Sequence, residues 1–258
     1  MLDIKQIESF YPENLRPFRQ NLLREYFQYK LLEIIYDSPW AGRLAFMGGT
    51  CLRIVHGMER FSEDVDFDNL GLNREDFEAL SLSIHNQLGL LGYQAEVKTV
   101  FAGAFRCSVR ISNVLYDTGL SGHKKSKILI QVDTEPQMYS YRPQEKLLNK
   151  FDIFLRIKAV PPEILLAQKI YAILNRPRTM GRDFYDTVFL LGRVKPDYGY
   201  LKVKAGIAGG VELRERLLTF CEQVDLQLMG RDVRPFLMSA DDVKKVVFFK
   251  DYITGCEL

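Results

Sequence analysis

The chain has 258 residues, 47% of them hydrophobic, enough to fill a core in one large domain or two small ones, which excludes a disordered polymer. Lys and Arg total 35 against 33 Asp and Glu, a formal net charge of +2, so affinity for nucleic acid must come from local patches and not from an overall basic field. Cys51, Cys107, Cys221 and Cys256 are scattered without C-x-x-C spacing, which argues against a zinc finger or a disulfide scaffold. The first residues mix acids and bases without an apolar signal-type run, and no later stretch approaches membrane-spanning length; the expectation is a soluble cytoplasmic protein with no membrane partner.

Residues 15 to 37 repeat apolar side chains at three- and four-residue steps, which predicts an amphipathic helix ended by Ser38-Pro39. Leu44-Ala45-Phe46-Met47 then reads as a short strand, Gly48-Gly49 as a tight turn, and Thr50 to about His56 as a second helix. Val65 and Phe67 alternate with Asp64, Asp66 and Asp68, the period-2 pattern of a strand with one acidic face. A helix across Arg74 to Leu91 starts behind Asn73 as its cap. Strand-like runs follow at Gln94 to Val100, Phe105 to Val114 and Ile128 to Asp133, completing a mixed sheet. From Pro161-Pro162 the pattern turns helical: Glu163 to Leu174, Asp183 to Leu191, Glu212 to Met229 and Asp241 to Tyr252. The fold class is therefore α/β (α+β), a mixed sheet flanked by helices, with residues 1–160 as an α/β domain that includes the N-terminal helix and 161–258 as a helical domain.

Strand, Gly48-Gly49-Thr50, helix is an arrangement that points backbone N–H groups and a hydroxyl at one spot at a helix N-terminus, which suits phosphate. Alone, a glycine pair ending a strand is more often just a sharp turn. Asp64 and Asp66 lie two apart on a strand, their Cα atoms roughly 6 to 7 Å apart, and can bracket a divalent cation such as Mg²⁺ or Mn²⁺. Aspartate is a poor strand former, and such local violations gather at functional sites. The bland alternative is a solvated acidic edge, the reading preferred for Asp68 with Asn69. Asp133 ends the apolar run Ile128-Leu-Ile-Gln-Val and, if that strand lies beside the first, completes a triad able to hold two cations roughly 3.5 to 4 Å apart, as base or metal ligand. Otherwise it is only the exit residue of its strand.

Gly-Gly-Thr, then Asp-x-Asp, then a strand aspartate resembles the nucleotidyltransferase (polymerase β-like) superfamily. Phe46-Met-Gly-Gly-Thr-Cys-Leu-Arg53 with Arg60-Phe-Ser-Glu-Asp-Val-Asp-Phe67 is similar to the AbiEii family of bacterial nucleotidyltransferase toxins, which includes the MenT toxins. Pro162-Glu-Ile-Leu-Leu-Ala-Gln-Lys-Ile-Tyr-Ala172 and Arg182-Asp-Phe-Tyr-Asp186 resemble that family's later motifs, a helical lysine and an R-D-x-x-D helix start.

The resemblance implies nucleotide transfer from an NTP to an acceptor such as tRNA, by the toxic half of a toxin–antitoxin or phage-defence pair, with a cognate antitoxin as partner and the helical domain completing the active site. It implies that Gly48, Gly49 and Thr50 cradle phosphate, that Asp64 and Asp66 bind metal, that Lys169 contacts phosphate, and that Asp183 is the essential acid of the last motif, unranked against Asp186. Arg53, Arg60 and Arg182 are further phosphate-binding or acid-pairing candidates. Without the motif, Lys169 reads as a solvated helix face and Arg182 with Asp186 as a surface i,i+4 ion pair. Basic groups at His123 to Lys127, at Arg176 and Arg178 with Arg182, and at Lys202 and Lys204 suit either an RNA backbone or ordinary solvated loops. Rival functions are transfer to a small hydroxylated molecule and a non-catalytic nucleotide-binding regulatory module.

Overall fold

In the computed structural model, which describes residues 2–258, the chain divides into two compact units. The first takes the chain up to Cys51, then Phe61–Met138 and Pro143–Ala159; the second takes Leu52–Arg60, Tyr139–Arg142 and Val160–Leu258.

The first unit begins with α1 (Ile4–Ser9), closed by a capping box between Asp3 and Gln6, and a 3₁₀ turn over Glu13–Phe18. Helix α2 (Arg19–Tyr36) follows, and it is buried on most of its surface, polar residues included. Those polar side chains are satisfied: Glu25 accepts from Tyr11 Oη at 2.8 Å and from Lys150 Nζ at 2.8 Å, and Gln28 donates to the Ser62 and Glu63 carbonyls. Strand β1 (Leu44–Met47) runs directly into α3 (Gly48–His56), which therefore starts at the first glycine and not at Thr50 and whose residues from Leu52 on are counted with the second unit. Then come β2 (Val65–Asn69), α4 (Arg74–Leu90), β3 (Ala95–Ala102), β4 (Ala104–Ser112), the single turn α5 (Val114–Asp117) and β5 (Lys127–Glu135). Asn73 caps α4, its side chain accepting from the Asp76 amide.

A hairpin of β6 (Gln144–Lys150) and β7 (Ile153–Ala159) completes a seven-stranded sheet in the order β3-β4-β5-β2-β1-β7-β6. The sequence reading has no strands there. The pairs β2 with β5 and β1 with β7 are parallel and the other pairs antiparallel. Inward positions alternate along β4 and β5, where Cys107, Val109 and Ile111 and then Ile128, Ile130 and Val132 are all buried. This sheet holds β1, β2 and β5 side by side at its centre, which decides where the acids lie.

The second unit is helical: α6 (Pro162–Asn175), α7 (Gly181–Leu191), α8 (Tyr198–Ala205), α9 (Gly210–Cys221), α10 (Leu226–Val233), α11 (Lys244–Val247) and α12 (Phe249–Gly255). The single helix expected over Glu212 to Met229 is two, because Asp225 caps a new start by accepting from the Gln227 and Leu228 amides. The helix expected over Asp241 to Tyr252 is likewise broken, into a 3₁₀ turn, α11 and α12. Helix α8 was not expected; Asp197 caps it and also accepts from Tyr139 Oη at 2.9 Å. Gly181 lets α7 cross α10 closely, since a Cβ there would sit 2.0 Å from the Met229 carbonyl oxygen. Among the described residues, no helix is long and apolar enough to cross a membrane.

Candidate active site

The register of the central strands sets the site. Met47 on β1 is opposite Asp66 on β2, Asp66 is opposite Asp133 on β5, and Asp133 is opposite Arg106 on β4. Cross-strand partners share a sheet face, so these four side chains form one row across the sheet. The sequence alone could propose Asp133 as a neighbour of Asp66 only conditionally; the parallel β2–β5 ladder makes it the adjacent residue.

The glycine turn abuts this row. Gly48 has φ +76°, a left-handed conformation, and a Cβ on it would lie 2.4 Å from Asp66 Oδ2. Only glycine lets the start of α3 come this near the carboxylate. The first-turn amides of a helix have no acceptors within it, so Gly48, Gly49 and Thr50 present the positive end of α3 beside Asp66. Thr50 serves this arrangement differently from expectation: its side chain is fully buried and its hydroxyl donates to the Asp64 carbonyl, tying the helix start to the segment that carries the acids. The hydroxyl thus positions that segment.

Asp64 immediately precedes β2, and its Oδ1 accepts from the Gln131 amide at 3.3 Å, which leans this carboxylate toward β5. Asp68 is not the solvated edge the sequence suggested. It is 2% exposed and accepts from the Gln137 amide at 2.8 Å, a partner far along the chain that local pattern does not reveal. Asn69 forms the expected turn, accepting from the Gly71 and Leu72 amides.

Sequence reasoning missed Arg106. Its Nε lies 3.0 Å from each Asp133 carboxylate oxygen and its Nη2 2.8 Å from Oδ2. Asp133 beside it, with Asp64 and Asp66 further off, holds the guanidinium above its ordinary pKa. Among the described residues, no group of three or more His, Cys, Asp or Glu side chains is gathered closely enough to hold a metal ion. Asp64 and Asp66 are hard oxygen donors of the kind that could hold a divalent cation, and Asp133 is engaged by Arg106. The cysteines are packing residues: all four are free thiols, and burial pushes Cys107 and Cys221 up to about 11 and Cys51 higher still.

The later motif residues meet in the second unit, and their arrangement is unlike a surface patch. Arg60 donates from Nε and Nη2 to the two oxygens of Asp186, each at 2.6 Å, and both side chains are almost wholly buried. Lys169 Nζ lies 2.8 Å from Asp186 and 3.0 Å from Asp183, and Arg176 reaches Asp183 at 2.8 Å. Burial opposes the charge on Asp186, but Arg60 and Lys169 outweigh it and hold the carboxyl below its usual range. Burial likewise disfavours the charged forms of Lys169 and Arg60; Asp186 and Asp183 overcome it, and both cations stand above their ordinary values.

Lys169 is thus neither a solvated face nor an uncommitted phosphate ligand, and Asp186 does not pair with Arg182 along the helix. Arg182 stacks on Phe236 with its guanidinium carbon 4.5 Å from the ring centre. Asp183 and Asp186 differ: Asp186 is closed in by Arg60 and Lys169, whereas Asp183 also meets the half-exposed Arg176. Arg53 donates to the Met58 carbonyl at 3.0 Å, bracing the end of α3.

Solved structures share this fold. The Helicobacter pylori protein JHP933 superposes with a TM-score of 0.54 at 17% identity, with 91% of each chain covered. A protein from H. pylori assigned as a nucleotidyltransferase superposes with a TM-score of 0.53 at 18% identity, covering 91% of this chain and 94% of that one. Curated protein sequences show no match. The model of one family, described as nucleotidyl transferase AbiEii toxin of type IV toxin–antitoxin systems, matches residues 30–208, a span that contains the glycine turn, the three acids, Lys169 and both acids of the last motif. The chain therefore belongs to the AbiEii family of nucleotidyltransferase toxins.

Proposed function

We propose that this nucleotidyltransferase uses Asp64 and Asp66 to hold Mg²⁺ or Mn²⁺ and transfers a nucleotide from an NTP to an RNA acceptor of the tRNA class. The observation that carries this reading is the pairing of Asp66 with Asp133 across parallel strands, with Gly48 packed against the Asp66 carboxylate. In the reaction the acceptor hydroxyl attacks the α-phosphorus, its oxygen forms the new P–O bond, pyrophosphate leaves in line, and the hydroxyl proton passes to a carboxylate of the row. The chain's own part is to orient the triphosphate at the α3 amides and to keep the acids on one face. A bound divalent cation would supply charge stabilisation at the transferring phosphoryl group.

Within the helical unit, we assign Lys169 the phosphate-directed role of the family's lysine and Asp183, rather than Asp186, the role of the last motif's acid. Asp186 is enclosed by Arg60 as well as Lys169, which marks it as the framework of that cluster. An RNA acceptor is favoured by Lys124 and Lys125, exposed in the loop before β5 and suited to a phosphate backbone. As a member of a type IV toxin family, the protein would act in the cytoplasm under control of a cognate antitoxin.

Incubation of the purified chain with each labelled NTP, Mg²⁺ and a tRNA pool tests this directly. The expected result is metal-dependent labelling of tRNA by one preferred nucleotide. Labelling of a small hydroxylated molecule and not of RNA would overturn the acceptor while leaving the chemistry; nucleotide binding without transfer to anything would overturn the enzymatic reading.

A further inference from the structure

The row that begins at Met47 and passes through Asp66 and Asp133 ends on a cation, Arg106. Arg106 engages both oxygens of Asp133 with three hydrogen bonds of 2.8 to 3.0 Å. A carboxylate gripped in this way has little left to offer a metal ion. The grip is nonetheless of a breakable kind. The Arg106 side chain is 51% exposed and that of Asp133 22%, and pairs open to water are held weakly. The contrast is with Arg60 and Asp186, whose side chains are 2% and 0% exposed and which lack any such access to solvent. A guanidinium at the edge of an acidic site also has a natural second partner, since it binds phosphate oxygens with the same fork it offers to carboxylate.

We propose that Arg106 is a positioning residue that holds Asp133 in reserve, competing with divalent cation for this acid until the phosphates of a bound nucleotide draw the guanidinium away. Without nucleotide the chain binds cation through Asp64 and Asp66 only; with it, Asp133 joins them. This inference rests on the metal-dependent reading above.

The test is a Mn²⁺ titration of the full-length chain, with unbound Mn²⁺ read by electron paramagnetic resonance, on the wild type and on Arg106→Gln, Arg106→Lys, Asp133→Asn, Asp66→Ala and the Arg106→Gln/Asp133→Asn pair. Removing the competing charge should tighten Mn²⁺ binding about tenfold in Arg106→Gln. Arg106→Lys, which keeps the charge but loses the fork, should gain less, and it carries the test should the glutamine variant not fold. The gain should vanish in the double variant compared with Asp133→Asn alone, and a non-hydrolysable NTP should narrow the gap between wild type and Arg106→Gln. Should Arg106→Gln bind Mn²⁺ no better than wild type while Asp66→Ala loses binding, this proposal falls and the metal site stands. A gain that persists without Asp133 also overturns it, since general attraction would then explain the effect. Absence of Mn²⁺ binding in wild type and Arg106→Gln alike would overturn both.

Discussion

The two units handle charge in opposite ways. In the helical unit the acids Asp183 and Asp186 are locked to Lys169, Arg60 and Arg176, and the inner part of the cluster is shut away from water. In the sheet unit Asp66 and Asp133 are opposite each other beside a helix start, and the Arg106 that grips Asp133 is half-exposed. The enclosed pair Arg60 and Asp186, each the counter-ion of the other, is a framework that is costly to break. The Arg106–Asp133 pair, open to water, is the more easily separated of the two. Residue type alone would not separate the two; burial and the location of the counter-charge do.

The largest expected effect lies in the framework. Asp186→Ala leaves Arg60 and Lys169 buried without their main partner, and should cost about 3 to 5 kcal/mol of stability in chemical denaturation. A loss below about 1 kcal/mol would mean that the cluster is solvated, erasing the contrast.

The same network sets a pH signature. Asp186 has a lowered folded pKa, so its contribution is complete above the unfolded carboxylate value, near 3.9, and is lost as pH falls through the lower folded value. Lys169 has a raised one, so its contribution is complete below the unfolded value, near 10.4, and disappears as pH rises through the folded value. Between these limits Asp186 and Lys169 should add no slope to stability against pH. Asp186→Asn should remove the acid-side fall due to this group, measured as denaturation midpoints from acid to neutral pH.

Gly48→Ala sharpens the comparison from the other side. The added Cβ meets the Asp66 carboxylate and the backbone is left-handed there, so transfer should drop roughly a hundredfold, with stability reduced by about 1 to 3 kcal/mol. Single-turnover assays and thermal melts measure the two effects together. Thr50→Val is smaller: it strands the Asp64 carbonyl, costing about 1 kcal/mol and lowering the transfer rate about tenfold by loosening the acid segment.

What the sequence disclosed was local. Strand, glycine pair and helix lie within thirteen consecutive residues from Leu44 to His56, and the alternation around Asp64 and Asp66 is visible in a short window. The β6–β7 hairpin escaped because β6 is a polar strand at the sheet edge and the link contains Phe151 at φ +60°, a bulky residue where glycine or asparagine would announce a turn. Arg106 escaped for a different reason. On β4 it is an ordinary exposed position, and only the antiparallel register with β5 sets it opposite Asp133. Lys169 and Asp186 look like solvated helix residues until tertiary packing closes Arg60 over them. Motif order reached the right family, while the division into framework and site depended on contacts between distant segments.

The central claim is that the acidic row against the glycine turn performs the transfer. Asp66→Asn, nearly the same shape without the charge, tests it most directly, assayed for labelled-nucleotide transfer alongside its melting temperature. The account predicts a loss of at least about a thousandfold in rate with the melting temperature held or raised. Transfer at a near wild-type rate by a folded Asp66→Asn protein would contradict it.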